Sequence, residues 1–579
     1  METADTDTTP TLKPSPTVPF IELHERKFVL LLCILAAIHV FIFSAGFPFF
    51  NNVDEGMHFD LVMRYAHGEV PGQIELISTN AGVYMGLMSS HEFYEPANAF
   101  PGNQFPAPIW TLPAEQMQPV WAARSGIWQT EYNYEVSQPP LYYALAGAWW
   151  HMGGWLGLEG GRLVYWLRFL NVLLVSALVW LAYATARLVF PKPESLSSSL
   201  AGPKLLSEGG SSSSNPVFLR LAVPTILAFM PQSAFYSLGN DIVAAWCFGL
   251  TFYFLIQWME AESLSLRLGI ALGLAFAAAY LAKATDIPVL AITTIALLFK
   301  AWRQLRRDKS KTAETARAVG AFLLCAELPV IAWVAWCRAH FGDITGSAPK
   351  AHFLGWTIKP FSQWWHHPIF SPVGLWTYLT GELGTFWQGE IWWHGPRLCL
   401  PGTDPLFALL SVVLLAIALP SVWCTRFSVL GSAEKNQKTA LQLALACFIA
   451  ELAFFALMSI IYDFHKCVNP SREHPYFEAG RMMFGALIPF LLVFVCGLDR
   501  LLSRLGLGTT IKFATLITMV AAMLTLEIVM DRPAFASPYN WYHLAGEGKS
   551  FSSLSSSSRM FAATKGRSIK VFSVAPGGA

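Results

Sequence analysis

Apolar stretches long enough to span a membrane recur along this chain. They constrain its fold more than any other feature of the sequence. A helix that crosses a bilayer needs about 17 to 25 mostly apolar residues. Eleven such stretches lie near residues 28–49, 164–190, 217–237, 241–260, 266–283, 287–302, 318–338, 403–423, 439–461, 481–500 and 511–529. The sequence therefore predicts an all-α polytopic membrane protein with about eleven transmembrane helices.

The composition agrees with this class and excludes others. Of the 579 residues, 54% are hydrophobic and 13% charged, and the mean hydropathy is +0.43, whereas about a quarter of a soluble chain is charged. The 39 Lys and Arg residues nearly balance the 38 Asp and Glu residues, so we expect no nucleic-acid partner. The nine cysteines show no CxxC or zinc spacing.

The distribution of Lys and Arg predicts the topology. One further apolar piece, 139–158, is rich in Gly and Trp, and if it crossed the membrane the basic segment 300–317 would face outward. Short basic loops stay on the cytoplasmic side. We therefore expect 139–158 to be a juxtamembrane helix and the two large loops, 50–163 (loop 1) and 339–402 (loop 2), to be extracytoplasmic and to contain juxtamembrane helices.

The remaining segments divide the chain further. Residues 1–27 are polar and rich in Thr and Pro, which predicts a disordered cytoplasmic tail. A transmembrane core, 28–338, and C-terminal transmembrane helices, 403–529, flank loop 2. We expect the tail 530–579 to be extracytoplasmic, although its six basic residues argue against that side. The Ser/Gly-rich stretch 193–216 is typical of a flexible linker.

Ionisable residues cluster where the first apolar stretch ends. Asp54 and His58 are four residues apart, so on a helix both lie on one face and can share a ligand. Asp54 is also a favoured helix N-cap, and His58 can simply lie at the water interface. Glu55 adds a second carboxylate at this depth, which favours a functional site.

Seven segments follow one another along the chain in an order that resembles a known superfamily: "DEGMHFDLVMRYAHGEVP", "EVSQPPLYYALAGAWW", "RFLNVLLVSALVWL", "SLGNDIVAAWCFGL", "LAKATDIPVL", "GTFWQGEIWWHGPRL" and "YFEAGRMMFGALIPFL". Between residue 28 and about 500 the chain resembles the GT-C membrane glycosyltransferases. It is most similar to a largely uncharacterised bacterial branch related to protein mannosyltransferases and the lipid A aminoarabinose transferase. In that branch the last segment usually reads Gly-Arg-Tyr, whereas here Met482 follows Arg481.

The resemblance implies a GT-C-like fold and transfer of a sugar from a polyprenyl-phosphate donor. It implies a multi-pass protein of the bacterial inner (cytoplasmic) membrane, with its active site on the extracytoplasmic side. The acceptor would be a cell-envelope glycan, lipid or protein. Asp54 is our candidate for the general base that takes the proton of the acceptor hydroxyl, with Glu55 second. Together with His58, Asp54 offers ligands for Mg²⁺ or Mn²⁺.

Other residues are candidates for binding the donor and the sugar. Lys283, Arg481 and Arg397 are candidate cations for the lipid phosphate, although Lys283 has a plain alternative as a lysine paired with Asp286. Asp241 begins a helix and is an obvious N-cap, so a functional role is the less favoured interpretation. The predicted substrate-binding residues are Gln138, Tyr142, Trp387, Glu390 and His394, with an interfacial aromatic belt as the alternative for the tryptophan.

Two other classes of function remain open. A multi-spanning transporter or flippase would have charges near the middle of the bilayer, and Glu327 and Glu451 lie well inside apolar stretches. No paired interrupted helices accompany them, and most acids lie in the loops, which favours an enzyme. A non-catalytic scaffold for envelope polysaccharide assembly would keep the fold and not need Asp54.

Overall fold

The computed structural model of the protein describes residues 17–93, 95–191, 216–423, 432–465, 467 and 469–544. Residues 1–16, nearly all of the predicted linker 193–216, and residues 545–579 lie outside this part. Within it the chain forms α1 (Thr17–Gly46), α2 (Glu55–Ala66), α3 (Thr79–Met88), α4 (Ala114–Trp128), α5 (Leu141–Trp155), α6 (Gly160–Arg168), α7 (Leu170–Val189), α8 (Pro216–Ala228), α9 (Asp241–Glu260), α10 (Leu266–Ala282), α11 (Ile287–Arg307), α12 (Thr312–Phe341), α13 (Ser347–Phe353), α14 (Phe361–Trp364), α15 (Pro372–Gln388), α16 (Thr403–Trp423), α17 (Ser432–Ile461), α18 (Leu487–Arg504) and α19 (Thr509–Ala536).

The predicted spans all coincide with apolar helices. In the part of the chain that the structure describes, nine helical segments are long and apolar enough to cross a membrane: His24–Gly46, Gly160–Val189, Asp241–Glu260, Ala284–Arg307, Lys309–Phe341, Thr403–Trp423, Glu434–Ile461, Gly480–Arg504 and Thr509–His543. The shorter apolar helices α8 and α10 occupy the two other predicted stretches. The protein is therefore an all-α, multi-pass membrane protein, as predicted.

Both large loops are helical. Loop 1 holds α2 to α5, and loop 2 holds α13 to α15. With fifteen residues, α5 is about 22 Å long, which is shorter than the roughly 30 Å of bilayer hydrocarbon. It packs against α2, α6 and α10. These dimensions agree with the prediction of a juxtamembrane helix at 139–158.

Each large loop contains a short strand that pairs with another part of the chain. In loop 1, β1 (Glu75–Leu76) pairs antiparallel with β2 (Tyr132–Asn133). In loop 2, β3 (Thr357–Ile358) pairs antiparallel with β4 (Tyr462–Asp463), which directly follows α17. Loop 2 is thereby fastened to the end of a membrane helix.

Helix α18 lies at the centre of the bundle. Within the span that contains it, 94% of the most apolar stretch is buried. It packs closely on α16, because a Cβ on Gly497 would lie 2.0 Å from the carbonyl oxygen of Leu414. A 3₁₀ helix, Gly480–Ala486, leads into α18 and carries Arg481. The position of Arg481 is therefore set by the best-packed element of the fold.

Helical structure extends into both predicted tails. Helix α1 begins at Thr17, and Glu25 is 4% exposed because Arg220 of α8 donates to it at 2.7 Å. At the other end, α19 continues to Ala536. Tyr539 is fully buried against loop 1, and the Tyr165 hydroxyl donates to its carbonyl oxygen. The segments that contain Glu25 and Tyr539 are therefore part of the fold, because side chains far away in the sequence form hydrogen bonds with them.

Candidate functional site

Asp54 lies between α1 and α2 in a left-handed backbone conformation, with φ 62° and ψ 1°. Few residues other than Gly adopt this conformation, and those that do are found often at functional sites. Its side chain makes no N-cap hydrogen bond. Instead, Arg481 donates to one carboxylate oxygen at 2.7 Å and the Tyr134 hydroxyl to the other at 2.9 Å. The carboxylate of Asp54 is thus held by side chains rather than used as a cap.

Arg481 is the centre of a buried ion cluster. Besides Asp54, its guanidinium binds Glu390 at 2.8 Å and Asp241 at 3.3 Å. Lys283 pairs with Asp241 on the far side. The side chains of Arg481 and Lys283 are 7% and 2% exposed. The cluster therefore holds three carboxylates against two cations in a poorly solvated position.

Separate elements supply the members of this ion cluster (Asp54, Asp241, Lys283, Glu390 and Arg481). They come from the start of loop 1, the first residue of α9, the residue after α10, the residues after α15 and the 3₁₀ helix before α18. The sequence prediction named four of these residues as site candidates. It favoured an N-cap role for Asp241, whose carboxylate instead joins Arg481 to Lys283.

The charges of the cluster decide the protonation state of Asp54. Burial alone would raise the pKa of this carboxyl. The positive charges of Arg481 and Lys350, with the hydrogen bond from the Tyr134 hydroxyl, outweigh burial and lower the pKa. For Glu390 the balance is reversed. Burial raises the pKa of this carboxyl by more than the charge and hydrogen bond of Arg481 lower it. Asp54 is therefore ionised at neutral pH, and Glu390 is the easier of the two to protonate.

A polar rim surrounds the cluster on the loop side. Lys350 of α13 pairs with Glu135, and the Gln138 side chain donates to Glu135 at 2.7 Å. Asn240 donates to Gln138 at 3.1 Å, which joins the rim to the residue beside Asp241. Gln138 was a predicted substrate-binding residue. Glu135 was missed, although it opens the quoted segment "EVSQPPLYYALAGAWW", and nothing in the local sequence marks Lys350.

His58 lies beside Asp54 without binding it directly. Its Nδ1 is 2.7 Å from the Tyr143 hydroxyl, and its side chain is almost fully buried. Burial lowers its pKa more than the nearby carboxylates of Glu135 and Asp54 raise it. Among the described residues, no group of three or more His, Cys, Asp and Glu side chains is arranged to hold a metal ion. The Mg²⁺ or Mn²⁺ site at Asp54 and His58 stays a prediction, with these two side chains as its only ligands from that sequence segment.

Glu55 points away from the ion cluster and is fully buried. Arg168 of α6 donates to both of its carboxylate oxygens, at 2.6 and 2.8 Å. The backbone amides of Phe50 and Leu238 also donate to Glu55, one to each oxygen. With both oxygens occupied, Glu55 fastens loop 1 to the membrane helices and cannot serve as the second base. Arg168 was missed, although it opens the quoted segment "RFLNVLLVSALVWL".

The other predicted substrate residues lie outside the cluster. Trp387 is 1% exposed, donates to Ser411 at 2.9 Å and stacks on Phe407. The prediction that it stacks on sugar is therefore wrong, because the ring belongs to the packing between α15 and α16. Tyr142 is equally buried, in α5.

Two further predicted residues connect the loops to other parts of the chain. The backbone amide of His394 donates to the carbonyl oxygen of Glu92 at 2.8 Å, which joins loop 2 to loop 1. Arg397 pairs with Asp404 at the start of α16. Neither residue makes a hydrogen bond to the ion cluster among the contacts described.

Comparison with known proteins gives a family but no function. No curated protein matches the chain. Among solved structures the chain is similar to ArnT from Cupriavidus metallidurans bound to undecaprenyl phosphate, at 12% sequence identity and a TM-score of 0.29. That match covers 81% of this chain and 77% of ArnT, and it is too distant to carry an argument. The family described as "Predicted membrane protein (DUF2142)" matches residues 35–368, which is more than half of the sequence, so the chain belongs to this family.

Proposed function

We propose that this protein is an integral membrane glycosyltransferase that transfers a sugar from a polyprenyl-phosphate donor to an acceptor on the extracytoplasmic side of the bacterial inner membrane. The observation that carries the proposal is the ion cluster around Arg481. It joins Asp54, Lys283 and Glu390, which sequence segments far apart in the chain contribute. These are the segments whose order resembles the GT-C glycosyltransferases.

In this proposal Asp54 is the general base. It is ionised, its side chain is 14% exposed, and Arg481 and Tyr134 fix its orientation. As the oxygen of the acceptor hydroxyl bonds to the anomeric carbon of the sugar, its proton passes to Asp54 and the bond from carbon to phosphate oxygen breaks. A positioned carboxylate of this kind contributes about a hundredfold or more to the rate.

Arg481 is the proposed partner of the departing phosphate. A guanidinium binds phosphate through two parallel hydrogen bonds, and Arg481 would exchange Glu390 or Asp241 for phosphate oxygens. Lys283 is too deeply buried for direct contact and instead neutralises Asp241. Lys350 has a side chain that is 24% exposed and is the more accessible second cation.

The polar rim is the proposed binding place for sugar and acceptor hydroxyls. Glu135 and Gln138 provide acceptors and donors beside Asp54, and Tyr134 provides an aromatic face. The position suits two very different substrates, because the donor arrives within the bilayer and a hydrophilic acceptor arrives from water. A base that serves both has to lie at the boundary between them.

A proton-coupled transporter is the second candidate, because Glu451 is fully buried within α17. Glu327, the second acid that the sequence analysis found well inside an apolar stretch, lies instead on the exposed side of α12. A transporter would use both acids along one path, and this arrangement separates them. The enzyme therefore remains the better proposal.

The test is sugar transfer by purified protein in nanodiscs with undecaprenyl-phosphate-linked sugars as donors. Asp54→Asn keeps the size of the side chain and removes its basicity, so we expect transfer to fall about a hundredfold or more with an unchanged melting temperature. Asp463→Asn is the matched control, because Asp463 also pairs with an arginine, Arg472, but lies in the strand β4 away from the cluster. Full activity of Asp54→Asn would refute the role of Asp54. A wild type inactive with every donor would refute the function.

A further inference from the structure

Next to the ion cluster lies a second group of acids that the proposed reaction does not use. We call Asp286, Glu382, Glu451 and Glu478 the carboxyl chain. Glu382 and Glu451 are fully buried, and none of their carboxylate oxygens has a hydrogen-bond partner among the described residues. One oxygen of Asp286 and one of Glu478 are likewise buried and unpartnered in that part of the structure.

Physical chemistry fixes the protonation state of these acids. A buried carboxylate without a donor or a cation is too costly to persist, so the group takes up a proton instead. The charged groups facing Glu382 are Glu478 and Glu390, both acids, and burial together with these neighbours raises its pKa far above the ordinary value. Glu451 lies inside the membrane helix α17, fully buried and with neither carboxylate oxygen hydrogen-bonded among the described residues. We therefore expect the carboxyl groups of Glu382 and Glu451 to carry protons at neutral pH.

The fold leaves room for the carboxyl chain at two glycines. A Cβ on Gly381 would lie 2.1 Å from the carboxyl carbon of Glu478. A Cβ on Gly485 would lie 2.8 Å from the carboxyl carbon of Asp286. Both carboxyl groups thus rest directly against helix backbone, where any other residue would displace them.

The carboxyl chain reaches both water and the ion cluster. At its outer end Glu478 accepts a hydrogen bond at 2.9 Å from His474, whose side chain is 49% exposed. At its inner end the backbone of Glu382 packs directly on Gly480, the residue before Arg481, because a Cβ on Gly480 would clash with the carbonyl oxygen of Glu382. Asp286 accepts a hydrogen bond at 3.1 Å from the backbone amide of Gly485, in the 3₁₀ helix that carries Arg481. It therefore extends from the exposed surface of the loops to the carboxylates that bind Arg481.

We propose that the carboxyl chain stores protons and delivers one to Glu390 when an anionic phosphate replaces Glu390 on Arg481. This inference rests on the proposed function, because that function supplies the phosphate. Without the transfer, phosphate binding would leave the partly buried carboxylate of Glu390, with its side chain 16% exposed, unpaired beside a new negative charge, which is unfavourable.

The proton movement balances. The hydrogen bond from Arg481 passes from the Glu390 carboxylate to a phosphate oxygen. The O–H bond of the Glu382 carboxylic acid breaks, and its proton joins Glu390. Glu382 regains a proton from Glu478, which takes one from water beside His474. One proton leaves the medium for each phosphate bound, and it returns when the phosphate leaves.

The protonated state is tested first by infrared spectroscopy of the purified protein at pH 7. Protonated carboxyl groups absorb separately from carboxylates, and we expect Glu382→Gln and Glu451→Gln each to lose part of that absorption. Glu131→Gln, which changes an exposed loop acid, is the control and should leave it unchanged. Because Gln has the shape of protonated Glu, both variants should fold. An absorption equal to that of wild type in both variants would overturn the proposal.

The delivery is tested by adding undecaprenyl phosphate to the protein in weakly buffered nanodiscs and following pH with an indicator. We expect uptake of about one proton for each bound phosphate in wild type and clearly less in Glu382→Gln. Binding without uptake by wild type would overturn this inference and leave the glycosyltransferase proposal standing. No binding of lipid phosphate, with the carboxyl absorption present, would overturn the proposed function and with it the delivery step.

Discussion

Glu55→Gln is expected to destabilise the protein rather than to slow a chemical step. The carboxylate of Glu55 neutralises Arg168, which is only 1% exposed and whose remaining partners are backbone carbonyl oxygens such as that of Phe47. An amide at this position carries no charge. It also conflicts with its surroundings, because Phe50 and Leu238 each donate a backbone N–H to a different carboxylate oxygen.

The size of the effect follows from these contacts. Whichever way the introduced side-chain amide turns, its NH₂ group faces one of the two backbone N–H donors, so one hydrogen bond is lost. Leaving one member of a buried ion pair uncompensated costs about 3–5 kcal/mol. Replacing both members by Glu55→Gln with Arg168→Met should recover part of that loss, because the stranded cation is then gone.

The assay is thermal unfolding in detergent, with sugar transfer measured well below the transition. Glu75→Gln is the control, since Glu75 also pairs with an arginine of loop 1 but its side chain is 36% exposed, and such a pair contributes about 1 kcal/mol or less. We expect Glu55→Gln alone to show a large drop in Tm. A normal Tm together with abolished transfer would show that Glu55 takes part in the chemistry and would refute this reasoning.

Three further outcomes are expected. Burial raises the pKa of Glu92 from 4.5 to about 7, so between these pH values the folded state keeps a proton that the unfolded state releases. The free energy of unfolding should therefore fall as pH rises from about 4.5 to 7. Glu92→Gln should flatten the dependence of Tm on pH. A cysteine introduced at Ser310 should resist an impermeant external reagent in intact cells while one at Ser362 reacts, and the reverse result would invert the topology. Arg481→Lys should weaken binding of undecaprenyl phosphate, because an ammonium lacks the planar fork, and binding equal to that of wild type would remove Arg481 from the site.

The spans were predictable and their ends were not. A stretch such as 439–461 is recognised from its length and composition alone, because the bilayer imposes both. The start of α1 depends on Glu25, which is buried because Arg220 binds it from almost two hundred residues away. No local pattern contains that pairing. The same holds for the end of the fold near Tyr539, which distant residues of loop 1 cover.

The two neighbouring acids show the same limit within the candidate site. Asp54 and Glu55 are equivalent by composition and position, and only the fold directs one toward Arg481 and the other toward Arg168. Asp241 is a second example, since the first residue of a helix is most simply a cap, yet its carboxylate binds two cations. Sequence indicated where the charged residues gather, whereas partners more than a hundred positions away decide what each one does.

The burial of Tyr539 has a consequence for biosynthesis. This residue follows α19. It covers loop 1 through hydrogen bonds with Arg124 and Pro106, and its carbonyl oxygen accepts a hydrogen bond from Tyr165 of α6. Because the ribosome makes the chain from its N-terminus, loop 1 emerges hundreds of residues before the residue that closes over it. Loop 1 therefore stays incompletely covered until α19 is inserted. Chains that stop before Tyr539 are expected to be degraded by membrane proteases.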